Sequence, residues 1–214
     1  ENTVGGFSAI YFNGGGDRQK VLELANWGSV TWSTFESAFY SCSNMEITAI
    51  DHATAKTSSV TNFEGAWRNC SSLSSFPVID TSSGTNFSLA WRGCSSLSTF
   101  PLLDTSAGTN FSDTWNLCLN LTLFPLIDTS SVTDFESTWR NCSSLTSFPA
   151  IDTSAGINFS ETWFSCSGLN GHDFSQYDFS GMNNGSLLFS GVTLSTTVWS
   201  DILIDLASDR DNSS

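Results

Sequence analysis

Large apolar side chains return along this chain at one fixed interval. Phe63, Phe87, Phe111, Phe135 and Phe159 are each 24 residues apart. Trp67, Trp91, Trp115, Trp139 and Trp163 follow four residues later, and Cys70, Cys94, Cys118, Cys142 and Cys166 three after those. Leu73, Leu97, Leu121, Leu145 and Leu169 come next, then Phe-Pro pairs ending at Pro77, Pro101, Pro125 and Pro149, which hold all four prolines of the protein. Asp80, Asp104, Asp128 and Asp152 each open an Asp-Thr-Ser triplet that closes the unit. A degenerate earlier unit carries Phe35, Phe39, Cys42, Met45, Ile50 and Asp51, with a longer connection from His52 to Thr57. Recurrence at this period predicts stacked coils whose equivalent residues lie on top of one another, because one unit is too small to bury its own apolar face.

Within a unit, Phe63, Trp67 and Cys70 fall at i, i+4 and i+7, the spacing of one helical face. Asn62, Asn86, Asn110, Asp134 and Asn158 stand where N-caps belong. Glu64, Asp113, Glu136 and Glu161 lie in the first turn, where the helix dipole favours acids. Arg68 and Arg140 follow Glu64 and Glu136 at i+4. The predicted helix ends near Cys70. Leu73 to Ile79 reads as a short extended stretch, in which Pro77 removes one ladder hydrogen bond, and Asp80-Thr81-Ser82 as a turn held by the carboxylate. Strands space at ~4.8 Å and helices at ~8–10 Å, so such a stack would curve with its strands on the concave side.

The ends depart from the repeat, as terminal coils that cover an open core should. Residues 1–34 read as an N-terminal cap: a strand from Phe7 to Phe12, a helix capped by Asp17 and carrying Val21, Leu22 and Leu24, then Val30 and Trp32. Residues 35–168 form the repeats. Residues 169–214 read as a C-terminal cap whose helix, capped by Ser195 or Thr196, carries Val198, Trp199, Ile202, Leu203 and Leu206, followed by a polar tail from Ser208 to Ser214. The chain opens Glu1-Asn2-Thr3 without Met, which reads as a processed product or an excised piece.

Charge and composition narrow the partners. Seven Lys and Arg stand against 21 Asp and Glu, a formal charge of −14. That disfavours nucleic acid, which needs a clustered basic face, and docking on anionic lipid. No apolar run approaches the ~20 residues of a membrane span, so no direct membrane insertion is expected. With 39% hydrophobic residues the chain is not disordered in composition.

The run Phe-Pro-x-Ile-Asp-Thr-Ser, then Val-Thr-Asp-Phe or Gly-Thr-Asn-Phe, then Trp-x-x-Cys-Ser-Ser-Leu, resembles the BspA-like leucine-rich repeats of bacterial surface proteins. These are the repeats grouped with mycoplasma surface lipoproteins and found also in marine bacteria and phages. Tyr11-Phe12-Asn13, Gly16-Asp17, Asn26-Trp27-Gly28 and Ala38 to Cys42 resemble that family's N-terminal cap, and Leu188 to Ser195 its exit cap. The unit here is a residue or two shorter, with the shortfall between the Leu and the Asp. The resemblance implies an α/β repeat solenoid, a leucine-rich-repeat-like curved stack with short parallel strands on the concave side and short helices on the convex side. It further implies a secreted, cell-surface or virion-surface protein used in adhesion or recognition, with no catalytic residues.

Four groups of residues are candidates for chemistry. The cysteines, one per coil and without C-x-x-C spacing, read as buried thiols; disulfides between coils are the alternative. The row Asp51, Asp80, Asp104, Asp128 and Asp152 reads as a set of Asx-turns, with calcium bridging between coils as the alternative; no cofactor is otherwise expected. The strand surface is the ligand-binding candidate. Ser74 and Ser98 with Thr122 and Thr146 form one stripe, and Pro77, Pro101, Pro125 and Pro149 another. Val78, Leu102, Leu126 and Ala150 adjoin inward Ile79, Leu103, Ile127 and Ile151, and extended chain cannot bury both neighbours on one face. Either the chain bends after the Pro, or an apolar stripe is exposed and marks an interaction site. Sequons such as those at Asn69, Asn86 and Asn110 could accept glycans. No nucleophile–base pair or phosphate loop is present, and His52 and His172 both lie outside the regular units.

The expected function is therefore a non-enzymatic recognition or adhesion module binding a protein or glycan on a cell or virion surface. Its rival is a structural protein that self-associates into a filament, lattice or virion decoration. Ice binding by the Thr and Ser rows is a remoter reading, weakened by the prolines and mixed residues in those rows.

Overall fold

A computed structural model describes residues 9–200 and 202. Coils are joined in parallel register. Isolated bridges run Asn62 to Asn86 to Asn110 to Asp134 to Asn158 to Asn184 on one side, and Thr99 to Leu123 to Ser147 on the other. At the start, β1 (Glu23–Leu24) pairs in parallel with β2 (Glu46–Ile47).

The segment from Phe63 to Cys70 is not a helix but a run of consecutive turns. Amides alternate between two destinations. Phe63, Gly65, Trp67 and Asn69 donate to the carbonyls of Asn86, Ser88, Ala90 and Arg92 in the next coil, at 2.8, 2.9, 2.8 and 2.6 Å. Ala66, Arg68, Cys70 and Leu73 donate back three residues within their own coil. A helix would direct all these donors four residues back along its own chain. Here half of them hold the neighbouring coil, and the chain turns through left-handed positions to achieve it. Gly65 and Asn69 have φ of +60° and +59°, and the pattern repeats at Leu89 (+61°), Gly93 (+75°), Asp113 (+58°), Leu117 (+65°), Ser137 (+53°) and Asn141 (+63°).

The cap signals therefore have another meaning. The side-chain oxygens of Asn62, Asn86, Asn110, Asp134 and Asn158 accept the amide two residues on, closing an Asx-turn. The expected Glu64–Arg68 and Glu136–Arg140 pairs also give way, since residues four apart no longer stack. Arg140 instead pairs with Glu161 of the next coil at 2.8 Å and Arg92 with Asp113 at 3.5 Å, while Arg68 lies 4.7 Å from the centre of the Tyr40 ring. The expectation of curvature rested on helices being spaced more widely than strands. Backbone hydrogen bonds join the coils on both sides, so that physical ground for a concave face is removed.

Equivalent side chains lie in columns. The indoles of Trp67, Trp91, Trp115, Trp139 and Trp163 are fully buried and stack nearly parallel, with centroids 5.4–5.7 Å apart. Phe76, Phe100, Phe124 and Phe148 form a second column, each ring perpendicular to its Trp at 4.6–4.8 Å. Thr81, Thr105, Thr129 and Thr153 of the Asp-Thr-Ser triplets are buried. Their hydroxyls donate to the carbonyls of Asp104, Asp128, Asp152 and Asp178 one coil on.

Leu73 to Ile79 forms no continuous strand. Ser98, Thr122 and Thr146 amides reach the carbonyls of Ser74, Ser98 and Thr122, and the ladder stops at the proline, which has no N–H to offer. At the N-terminal end, the part of the expected Phe7–Phe12 strand that is described, residues 9–12, is not strand. Phe12 and Gly14 donate to Ala38 and Tyr40, capping the first coil. Only a 3-10 turn, Arg18–Lys20, follows Asp17, whose side chain makes no cap bond; Leu24 belongs to β1. The amide ladder continues past 168 through Ser165 to Ser190, and Phe189 stacks on Trp163 at 5.5 Å in the place of a further indole. A helix then occupies 196–200 and 202, with Ser195 Oγ accepting the Val198 amide. Leu203, Leu206 and the tail from Ser208 to Ser214 lie outside the described residues.

Candidate functional site

The coil that begins at Met45 carries four residues more than the others before the register resumes at Thr57, and this excess shapes the surface. Thr57 sits in the Thr81 position, donating to the Asp80 carbonyl, so the extra chain must leave the stack. It forms a 3-10 turn, His52–Thr54. Asp51 pins its base: the carboxylate accepts the Trp27 and Gly28 amides, which hold its pKa below the usual carboxylate range. Asp51 thus does not join the Asp row, and Ile50 lies 91% exposed while Ala49 is buried in its stead.

This turn forms one wall of a recess of about 540 Å³, lined by His52, Ala53, Ala55, Val78, Ile79, Asp80, Leu102 and Asp104. From the recess an apolar row runs along the stack. Val78, Leu102 and Leu126 are 53, 62 and 62% exposed, while Ile79, Leu103 and Ile127 between them and the acids are buried. The sequence posed a bend and an exposed stripe as alternatives, and both occur. The Ile127 and Ile151 amides donate to the Pro125 and Pro149 carbonyls two residues back, at 3.0 and 2.9 Å, in tight turns centred on Leu126 and Ala150. Pro77, Pro101, Pro125 and Pro149 are half-buried beside the row. Ser74 and Ser98 are exposed: Ser74 donates through N and Oγ to Glu46, and the Ser98 amide donates to the Ser74 carbonyl.

A second row lies two residues further along each coil. Asp80, Asp104, Asp128 and Asp152 are exposed, and one oxygen of each accepts both the amide and the hydroxyl of Ser82, Ser106, Ser130 or Ser154. Those serine hydroxyls lower the pKa of Asp128 and Asp152, and the Asp128 charge opposes the effect at Asp152. The other carboxylate oxygen of each accepts no hydrogen bond among the described residues. These acids do not converge: among the described residues no group of three or more His, Cys, Asp or Glu is placed to hold a metal ion.

The thiols are committed to the interior. Cys70, Cys94, Cys118, Cys142 and Cys166 donate to the carbonyls of Phe39, Trp67, Trp91, Trp115 and Trp139 in the preceding coil. All six cysteines are free and buried. Burial pushes their pKa values up, to about 11 at Cys42 and about 12 at Cys166. The opposite of an activated nucleophile, each is a thiol held neutral.

Residue order offered the exposed apolar row as one of two alternatives, but it did not show the recess. Its only sequence signal is the break in register at His52 to Thr57, because nothing in that segment's composition says which way surplus chain will fold. Among the described residues no helix is long and apolar enough to cross a membrane. No protein-family model, curated protein or solved structure matches the chain.

Proposed function

We propose that this protein is a non-enzymatic recognition module of the BspA-like leucine-rich-repeat kind, acting at a cell or virion surface and binding a protein or glycan through the Val78–Leu102–Leu126 row and the recess at its end. The observation that carries the proposal is that row. Three large aliphatic side chains more than half exposed, in register on successive coils and continuous with a concavity, form a contiguous apolar patch rather than scattered exposure. The neutral, hydrogen-bonded thiols favour binding over nucleophilic chemistry.

The test is a screen of the protein against glycan arrays, intact cells and viral particles, repeated with Leu102→Ser and Leu126→Ser. Both side chains are exposed, so the variants keep their fold. Loss of binding by tenfold or more supports the proposal. Binding that is indifferent to both substitutions, or sedimentation showing open-ended assembly in place of a discrete species, overturns it.

A further inference from the structure

We infer that the occupant of this face is a basic amphipathic helix of a partner protein, lying along the stack with its apolar stripe on the row and its Lys or Arg side chains over the Asp row. The inference rests on the recognition reading above and narrows it to one partner chemistry.

Charge comes first. The stretches 73–86, 97–110, 121–134 and 145–158, which carry the row, contain no Lys, Arg or His; His52 and Lys56 belong to the extra segment at the row's end. Asp80, Asp104, Asp128 and Asp152 are exposed along it, each with an oxygen unclaimed by any hydrogen bond among the described residues. A row of like charges one coil apart raises the local negative potential, and that favours a cationic partner. It disfavours a second copy of this chain, which would bring acid against acid.

Spacing comes second. Coils in backbone register repeat at ~4.8 Å. An amphipathic helix presents apolar residues at i, i+3 or i+4 and i+7, an average advance of about 5.3 Å. Over the two coil intervals from Val78 to Leu126 the two repeats drift apart by only ~1 Å. An extended peptide presents same-face side chains every ~6.6–6.8 Å and falls out of step by about 4 Å over the same distance. Helix-in-groove recognition through such anchors is a recurrent mode. The recess walled by His52–Thr54 gives the row a closed end, where the first apolar anchor would seat.

The experiment is fluorescence anisotropy with three labelled 18-residue synthetic peptides: a Leu/Lys amphipathic helix, a scrambled sequence of the same composition, and a Leu/Glu amphipathic helix. Each is titrated with the wild-type chain, with Leu102→Ser/Leu126→Ser, and with Asp104→Asn/Asp128→Asn. Asn keeps the side-chain oxygen that closes the turn, so the second variant removes charge without removing the hydrogen bond; near-UV circular dichroism checks both folds. The expected result is that the Leu/Lys helix binds the wild type at least tenfold more tightly than the other two peptides, and that each double variant weakens it by at least tenfold. Equal binding of the scrambled peptide, or no loss in the leucine variant, overturns the inference. If the Leu/Lys helix fails while a glycan or neutral protein from the surface screen binds and is lost in Leu102→Ser, the recognition reading stands and this inference falls.

Discussion

Thr105 and Asp128 belong to adjacent coils, and the buried Thr105 hydroxyl donates to the Asp128 backbone carbonyl at 2.6 Å. The same bond recurs in the coils on either side, so the middle residue of Asp-Thr-Ser fastens the stack while the outer two close a turn. Thr105→Val keeps the shape and removes the donor, leaving a carbonyl without its partner. We expect a loss of about 1–3 kcal/mol in urea unfolding, and a smaller loss for Thr105→Ser, which keeps the hydroxyl.

Leu89 tests the turn geometry directly. At φ +61° a β-branched residue is strained, so Leu89→Val should destabilise by about 1 kcal/mol or more. Were this segment helical, the same change would cost only a few tenths of a kcal/mol in propensity. Chemical denaturation of the pair separates the two values.

Trp115 stands in the middle of the indole column, packed on Trp91 and Trp139 at 5.7 Å. Its N–H has no hydrogen-bond acceptor among the described residues, so replacing it forfeits packing alone. Trp115→Ala should cost about 3–5 kcal/mol and Trp115→Phe clearly less. Because each coil contacts only its neighbours, the central substitution should also split the hydrogen-exchange protection of the stack into two blocks.

The thiol column makes stability fall at alkaline pH. Folded pKa values raised above the ordinary thiol value of 9.0 mean that their contribution is complete below that pH. It is lost as pH rises toward about 11 at Cys42 and about 12 at Cys166. Native protein at pH 8 should leave its thiols unreactive toward a disulfide reagent, and all six should react in denaturant. Prompt reaction of even one in the native state would contradict the buried column.

Asp51 links the surplus turn to the N-terminal segment through the Trp27 and Gly28 amides. Asp51→Ala should raise the hydrogen-exchange rates of those two amides, whereas Asp51→Asn, which retains an acceptor oxygen, should leave them closer to wild type.

The sequence by itself determined which residues share a column. A Trp, a Cys and a Phe-Pro returning at one interval can all be buried only if the interval is one coil, and Trp67, Trp91 and Trp115 do stack ring on ring. It left open whether a bend after the proline or an exposed stripe accommodates Leu102 and Leu126, whose neighbours Leu103 and Ile127 already face the core. Tertiary structure alone decided the backbone between those columns. Spacings of four and then three residues suit a helical face and a run of short turns equally well. Asn62 followed by an acid fits an N-cap and an Asx-turn alike, and Leu89, Leu117 and Glu161 carry no propensity for the left-handed positions they adopt. The deciding term is non-local. Alternate amides gain partners only because another coil lies against them, and those bonds offset a backbone strain of about 1–2 kcal/mol per residue that no single unit would tolerate.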